Sequence, residues 1–480
     1  MRIIQKKSFL ILALVLFAGC GSTQASETTQ SGQLPDQATP QITTDEARAI
    51  AKEAYLFGFP FVSNYRVLIA HFVENKPLAM GAGLNEFAHM PDFFPPQQRD
   101  TAQRDVVYSL GVMDLRREPI VISVPDVPDG GVYMLQMGDT STESLPYIST
   151  ATTNNKAGDY VLVGPDFQGY LPARPFDGVI TTRGQFVIML GRTVPFDPDD
   201  LSSVHAIQDG ITMRPLSEFM GTEPPAEPAP VEFVPWDPER AAGLGVFDYI
   251  NMALAWHPPA IHEVDAMASF AKIGVIPGQM FSTDGLSSDI IAAIEEGVAD
   301  AKQDIQTWIE QPPGMAGNWA WLTDDISRFG TDYLQRAAIS LKNIYPNAPD
   351  HAIYGQAFMN AGGDLLTGQH VNTIRFESGM FPPVNWFWSI TMYDATTTAM
   401  YPNDSERYNI GDRTKGLIYG DDDALTIYMS HQEPDDPSER ANWLPAPAGD
   451  YYLVLRLYGA RPEVIEGKWT PPPIQKSDAD

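Results

Sequence analysis

Arg104, Asp105 and Tyr108 stand together at the start of an apolar run, and Arg192 closes another, Val187-Ile188-Met189-Leu190. A charge set inside a sheet must be paired or face a cavity, because an unpaired buried charge costs several kcal/mol. One reading is that these groups converge on a polar pocket that orients an anionic or hydroxylated ligand. An Asp beside an Arg is held ionised, so Asp105 would serve as a base or a ligand. The other reading is structural Arg–carboxylate pairing between sheets or domains. Arg375 and Glu377 lie two apart and share a strand face, and Arg456 interrupts a run of leucines. With Trp388 and Asp394 they form a second set of candidate ligand contacts. Trp386, Phe387, Trp388 and Tyr393 could stack on a sugar or simply pack a core, as aromatics do in sandwiches.

Other chemistries find little support. There is no G-x-S-x-G elbow, no P-loop and no H-E-x-x-H. Gly81-Ala82-Gly83 and Gly243-Leu244-Gly245 each lack the third glycine of a dinucleotide loop. His257 and His262, split by Pro258-Pro259, fall on different faces of a helix, and Asp421-Asp422-Asp423 reads as a solvated hairpin turn more readily than as a Ca²⁺ loop. No metal and no cofactor is expected.

These residues need elements to hold them. Thr43-x-x-Glu46 is a capping box, and Ala47, Ile50, Ala51, Ala54 and Phe57 follow at helical spacing. That helix is expected to stop near Gly58 and Pro60, with a second helical stretch over 62–73. From 105 to 195 the pattern turns to short apolar runs, 106–115, 120–124, 132–138, 160–163 and 186–191, separated by turn residues. A Pro- and Glu-rich stretch over 222–238 reads as a surface connection. The segment 239–345 reads as helical, with one apolar stripe over 288–310 and another through Leu334, Ala337, Ala338 and Leu341. Beyond 370 the period returns to two. Leu453, Leu455 and Leu457 alternate with Tyr452, Val454, Arg456 and Tyr458, and Ile390 and Met392 alternate with Ser389, Thr391 and Tyr393. The fold class expected is α+β, mostly β: two antiparallel sandwich or jelly-roll-like domains, over 43–222 and 346–475, with a linker and helical segment over 223–345 and a short tail over 476–480.

The N-terminus carries its own chemistry. Arg2, Lys6 and Lys7 precede an apolar run over 9–18, too short to span a bilayer core of about 30 Å and suited to a signal peptide over 1–19. The run ends in Ala18-Gly19-Cys20, which resembles a bacterial lipobox; Phe17 stands where Leu is more usual. The resemblance implies that Cys20, the only Cys in the chain, is lipidated and becomes the mature N-terminus. Residues 21–42 are rich in Ser, Thr, Gln and Gly and read as a flexible tether of roughly 25 Å. Gly21, rather than Asp, after the Cys favours the outer membrane, facing periplasm or exterior. The 480 residues carry 61 Asp plus Glu against 31 Lys plus Arg, a net −30, so nucleic acid is not an expected partner.

Two sets of motifs carry a family resemblance. Arg104-Asp105-Val106-Val107-Tyr108-Ser109, Met113-Asp114-Leu115, Gly158-Asp159-Tyr160, Gly164-Pro165 and Leu190-Gly191-Arg192 resemble the domain of unknown function numbered 1254. Pro382-Pro383-Val384, Phe387-Trp388-Ser389, Tyr393-Asp394, Arg407-Tyr408, Ile410-Gly411-Asp412, Asn442-Trp443-Leu444-Pro445-Ala446-Pro447, Leu455-Arg456-Leu457-Tyr458-Gly459 and Trp469 with Pro471-Pro472 resemble its companion, numbered 1214. Gln103 and Val106 stand where the first family usually has Asn and Thr, and Ser149-Thr150-Ala151 where Gly-Thr-Arg is common. The resemblance implies two β-rich domains, the second similar to a jelly roll, and carries over no reaction. The expectation is a cell-envelope lipoprotein that binds a small polar molecule or glycan, or is structural. The alternative is an enzyme, a hydrolase for instance, built on Arg104, Asp105, Tyr108 and Arg192. The partners expected are the membrane, through Cys20, and a small-molecule or glycan ligand.

Overall fold

The capping box forms as its spacing dictates. Thr43 Oγ1 accepts from Glu46 N (3.2 Å) and Glu46 Oε2 accepts from Thr43 N (3.0 Å). The helix it opens, Thr44–Phe72, does not stop at Gly58 or Pro60 but runs through both. An internal proline costs about 3 kcal/mol, and tertiary contacts offset it. Arg336 Nη2 donates to the Phe57 carbonyl (2.9 Å) in the turn that the proline disturbs. Phe57, Phe61 and Tyr65 are buried against helices Val246–Ala255, Ser288–Glu310 and Tyr333–Lys342, each side chain contributing about 1.5–3 kcal/mol. The two longest helices approach closely at Gly297: a Cβ there would lie 2.2 Å from the Arg48 carbonyl and 3.0 Å from Lys52 N. Gly297→Ala is therefore expected to force the helices apart at a cost of about 1–3 kcal/mol. A lowered urea midpoint would report it; an unchanged midpoint would mean the pair parts freely.

The chain is described by a computed structural model over residues 42–72, 83–99, 102–172, 176–311, 314–321, 324–342 and 344–477. The expected signal peptide, Cys20 and the expected tether up to residue 41 lie outside the described residues. In the N-terminal half the strands are β1 (Ala88–His89), β2 (Val107–Asp114), β3 (Ile120–Val124), β4 (Val132–Asp139), β5 (Ile148–Ser149), β6 (Gly158–Val163), β7 (Gly178–Thr181), β8 (Phe186–Val194) and β9 (Thr212–Pro215). They form a sheet of order β1-β2-β8-β4-β5 and another of order β7-β6-β3-β9. The C-terminal half adds β10 (Met315–Ala316), β11 (Trp319–Trp321), β12 (Ala352–Ala357), β13 (Asn372–Phe376), β14 (Val384–Asp394), β15 (Asn409–Gly411), β16 (Leu425–Ser430), β17 (Trp443–Pro445), β18 (Tyr451–Ala460) and β19 (Ile474–Lys476). These form sheets of order β10-β11-β12-β18-β14-β15 and β17-β16-β13-β19. The fold is thus mixed α and β with four open sheets, β-rich as expected.

Each pair of sheets closes on its own core. Leu135, Met137, Val187 and Met189 of the first sheet meet Ile120, Ile122, Leu162 and Met213 of the second. Trp388, Ile390, Leu453 and Leu455 meet Ile374, Phe376, Ile427 and Met429 in the C-terminal pair. The expectation of all-antiparallel sheets is corrected at two edges, where β7 pairs parallel to β6 and β17 parallel to β16. The connections over 164–177 and 431–442 are long enough for the crossover that parallel pairing needs. The first helix, placed by sequence with the N-terminal domain, packs instead on the helices of 246–342, and with Val112, Phe186 and Ile188 they cover part of the five-stranded sheet. From Ile42 onward the chain is one compact unit.

Candidate functional site

The alternation along β14 and β18 sends Trp388, Ile390, Met392, Leu453, Leu455 and Leu457 into the C-terminal core. Ser389, Thr391, Tyr393, Tyr452, Arg456 and Tyr458 face the other way, as period two requires. All six residues of that polar-aromatic face are buried. The N-terminal half covers much of it: Val106, Val132, Met134 and Val194 pack on Phe387 and Tyr458. Residues 102–105, leading into β2, lie across the rest. The Ala102 carbonyl accepts from Tyr393 OH (2.6 Å), and Gln103 Nε2 donates to Tyr108 OH (3.0 Å) and Tyr458 OH (2.7 Å).

Asp105 is the centre of this junction. Ser389 Oγ donates to Asp105 Oδ2 (2.7 Å) and Asn409 Nδ2 to Asp105 Oδ1 (2.6 Å). Burial pushes its carboxyl above the ordinary aspartate value, while Arg456, Ser389, Arg413 and Asn409 oppose the shift. The expectation of an Asp lowered by its Arg neighbour is corrected here: desolvation outweighs the cations. Arg456, fully enclosed, donates through Nη1 to Thr391 Oγ1 (2.8 Å) and through Nη2 to Tyr393 OH (2.8 Å).

Asp105 also forms part of the wall of a cavity of about 430 Å³ between the two halves, within the range of ligand sites. Phe93, Arg104, Pro195 and Asp199 line it from the N-terminal half, and Trp388, Arg407, Tyr408, Asn409, Arg413 and Lys415 from the C-terminal half. Arg104 lies between the rings of Phe93 (5.1 Å) and Tyr408 (5.5 Å) and donates through Nη1 to the Phe94 carbonyl (3.3 Å). Arg407 Nη1 donates to the carbonyls of Ala441 (2.9 Å) and Trp443 (3.0 Å). Arg413 lies over Phe387 (5.2 Å) and donates through Nη2 to the Pro195 carbonyl. Lys415 is taken up by Asp197 (2.9 Å) and Asp199 (3.4 Å).

The sequence-derived candidates separate clearly. Arg104, Asp105 and Trp388 line the cavity, and Arg456 lies behind Asp105. Tyr108 and Arg192 are outside it. They are partners across β2 and β8, with the guanidinium 5.4 Å from the phenol ring, and Arg192 Nη1 donates to Gln136 Oε1 (2.8 Å) and Asn347 Oδ1 (3.3 Å) in the seam between the halves. Arg375 and Glu377 form an exposed ion pair (2.9 Å) that Asp422 joins, so the Asp421-Asp422-Asp423 turn is tied to Arg375. Asp394 caps a turn, accepting from Thr396 N (2.9 Å) and Thr397 N (2.8 Å). Phe387 stacks on Tyr458 (4.4 Å) and Trp388 packs on Phe376 (4.9 Å). Arg407, Asn409 and Arg413 were not picked out as site residues, although Arg407, Asn409, Gly411 and Arg413 recur at every second position around β15.

Two further polar groups lie apart from the cavity. Ser149 Oγ meets His351 Nε2 (3.0 Å), and His351 Nδ1 meets Asp350 Oδ1 (2.8 Å). This is the connectivity of a hydrolytic triad with its burial inverted, since Ser149 is 0% exposed and the Asp350 side chain 64%. It joins the two halves as a strut. Under the helices, His257 is buried with Nδ1 on Thr140 Oγ1 (3.1 Å) and Asp139 Oδ2 3.8 Å from Nε2. Arg336, Glu143, Glu263 and Arg183 complete its electrostatic surroundings. His262 lies half-exposed beside Glu263, and among the described residues no group of three His, Cys, Asp or Glu is placed to hold a metal.

Comparison with known proteins places the two halves. The family described as protein of unknown function (DUF1254) matches residues 84–215, and that described as protein of unknown function (DUF1214) matches residues 351–462. No curated protein matches the chain. The crystal structure of the VPA0106 protein from Vibrio parahaemolyticus is similar in fold, with a TM-score of 0.70 and 24% identity over 90% of this chain and 100% of that one. An uncharacterised protein from Burkholderia cenocepacia aligns over 90% of this chain and 94% of its own at 11% identity and a TM-score of 0.44, too distant to carry an argument. The chain thus carries a segment matching DUF1254 followed by one matching DUF1214, an N-terminal and C-terminal two-domain arrangement.

Proposed function

We propose that the protein binds a small polar, anionic molecule, such as an acidic metabolite or glycan, in the cavity between its two halves. One observation carries this reading. On a chain with twice as many acidic as basic residues, Arg104, Arg407 and Arg413 line one cavity, and among the described residues none of them forms an ion pair. Guanidinium groups held on backbone carbonyls and aromatic rings are positioned without being neutralised, which suits them to an incoming anion. A thermal-shift screen of acidic and neutral metabolites and sugars tests it. At about 100 times its Kd an acidic ligand should add about 2.7 kcal/mol, a shift of a few degrees, and Arg407→Gln should remove that shift. Acidic compounds without effect, or neutral ones with an equal effect, would sink the reading.

An enzymatic role has Asp105 in its favour. A carboxyl raised by burial and facing a ligand-sized cavity is equipped to pass a proton. Asp105→Asn would then retain ligand binding and lose turnover; equal turnover in the variant removes Asp105 as the acid–base group. The place of action we infer is the cell envelope, on a lipid at Cys20, and its support is the Ala18-Gly19-Cys20 sequence alone. Cys20→Ser should leave the membrane fraction; unchanged membrane retention would exclude the anchor.

A further inference from the structure

The guanidinium groups in the cavity differ in which edge they leave open. A guanidinium offers a carboxylate its best fit along the side edge made by Nε and Nη2, where two parallel hydrogen bonds form. Arg104 and Arg407 are both tethered through Nη1, the atom outside that edge. Arg413 is tethered through Nη2, which takes one arm of its fork and leaves it chiefly a positive charge. Among the described residues, no carboxylate occupies the fork of Arg104 or Arg407. The cavity's own anions are placed elsewhere. Both oxygens of Asp105 are held by Ser389 and Asn409, Asp199 is paired with Lys415, and Glu406 stands exposed at the rim. Phe93 and Tyr408 flank Arg104 and Phe387 backs Arg413, so the space between the charges has apolar walls.

We infer that the cavity is built for a ligand with two oxyanionic groups on a short apolar body, one group taken by the fork of Arg104 and the other by that of Arg407. A dicarboxylate is the simplest member of the class. This rests on the anion-binding reading above and narrows it: a single anion would fill one fork and leave the Nε–Nη2 edge of the other, half-buried guanidinium without a carboxylate.

Isothermal titration of the purified full chain with succinate, glutarate and adipate, each beside the monocarboxylate of equal carbon number, tests the inference, with inorganic phosphate as the single compact anion. One dicarboxylate should bind roughly tenfold or more tightly than its monocarboxylate, the scale of one added charge-assisted bidentate contact. Arg104→Lys and Arg407→Lys, which keep the charge and lose the fork, should each bring the dicarboxylate down to the level of the monocarboxylate. Their melting temperatures confirm that the variants fold, and Arg104→Gln and Arg407→Gln replace them if they do not. Equal binding of mono- and dicarboxylates, phosphate tighter than every dicarboxylate, or Lys variants that bind like the parent would overturn the two-fork inference while the anion site stands. Binding of none of these anions would remove the anion site together with it.

Discussion

Arg456→Ala is expected to lower the free energy of unfolding by about 3–5 kcal/mol, the cost of removing one partner from a buried ionic group. Arg456 is 3% exposed and holds Thr391 and Tyr393, whose hydroxyl in turn holds the Ala102 carbonyl. It is also the strongest of the influences that keep the Asp105 carboxyl from rising further. Without it, two buried hydroxyls lose a donor and a desolvated carboxyl loses the stronger of its two counter-charges, Arg413 being the other. The pair can be separated by a double-mutant cycle. Asp105→Asn removes the charge and keeps groups that can hydrogen-bond Ser389 and Asn409, so its own cost is expected to be about 1 kcal/mol or less. In that background Arg456→Ala should cost less than in the parent, with a coupling of about 1–3 kcal/mol. Urea unfolding of the four proteins gives the comparison. Strictly additive costs would mean that Arg456 supports the seam only through its hydroxyl partners.

Acidification should weaken the protein in a window set by His257. Burial, reinforced by Arg183 and Arg336 and opposed by Asp139 and Glu263, lowers its pKa from the ordinary histidine value to about 4. An unfolded histidine titrates near 6.5. Between the two values the unfolded chain holds a proton that the folded one lacks, so stability falls as pH drops through this interval, by about 3 kcal/mol in all. Asp105 acts in the opposite sense: its folded pKa is raised, so its neutral form adds stability below the unfolded aspartate value, which is lost as pH rises through the folded one. His257→Gln keeps a polar group for Thr140 and removes the titration. The variant is expected to be less stable at pH 7.5 and to lose much less on going to pH 4.5 than the parent does. Identical pH dependence in the two proteins, measured by urea midpoint, would exclude His257 as the group responsible. The unpartnered Nε2 of His257, with Asp139 at 3.8 Å, agrees with a neutral ring.

The legible and illegible parts of this sequence divide by range. Local pattern was enough for the helix over 288–310, seen as Ser288–Glu310, and for the strand over 120–124, seen as Ile120–Val124. It was enough to pick Arg104, Asp105, Trp388 and Arg456 as charges and rings worth following, because a charge in an apolar run is anomalous wherever it lies. It misjudged Pro60, whose local cost is offset by long-range packing of Phe57, Phe61 and Tyr65 against the helices of 246–342.

By itself, the sequence determined most of the elements, the alternation of faces along β14 and β18, and the two segments that match DUF1254 and DUF1214. The tertiary structure alone decided which of those faces is wet. Period two says that residues alternate and cannot say what covers the second face; here the N-terminal half covers it, so a polar face is an interior. The cavity is of the same kind. Asp105 meets Asn409 across 304 positions of chain. The same Arg–carboxylate chemistry that makes Arg375 and Glu377 an exposed ion pair leaves Arg104 and Arg407 without a carboxylate partner among the described residues. Residue type fixed the charge each could carry, and desolvation and long-range packing fixed which charges were left open for a ligand.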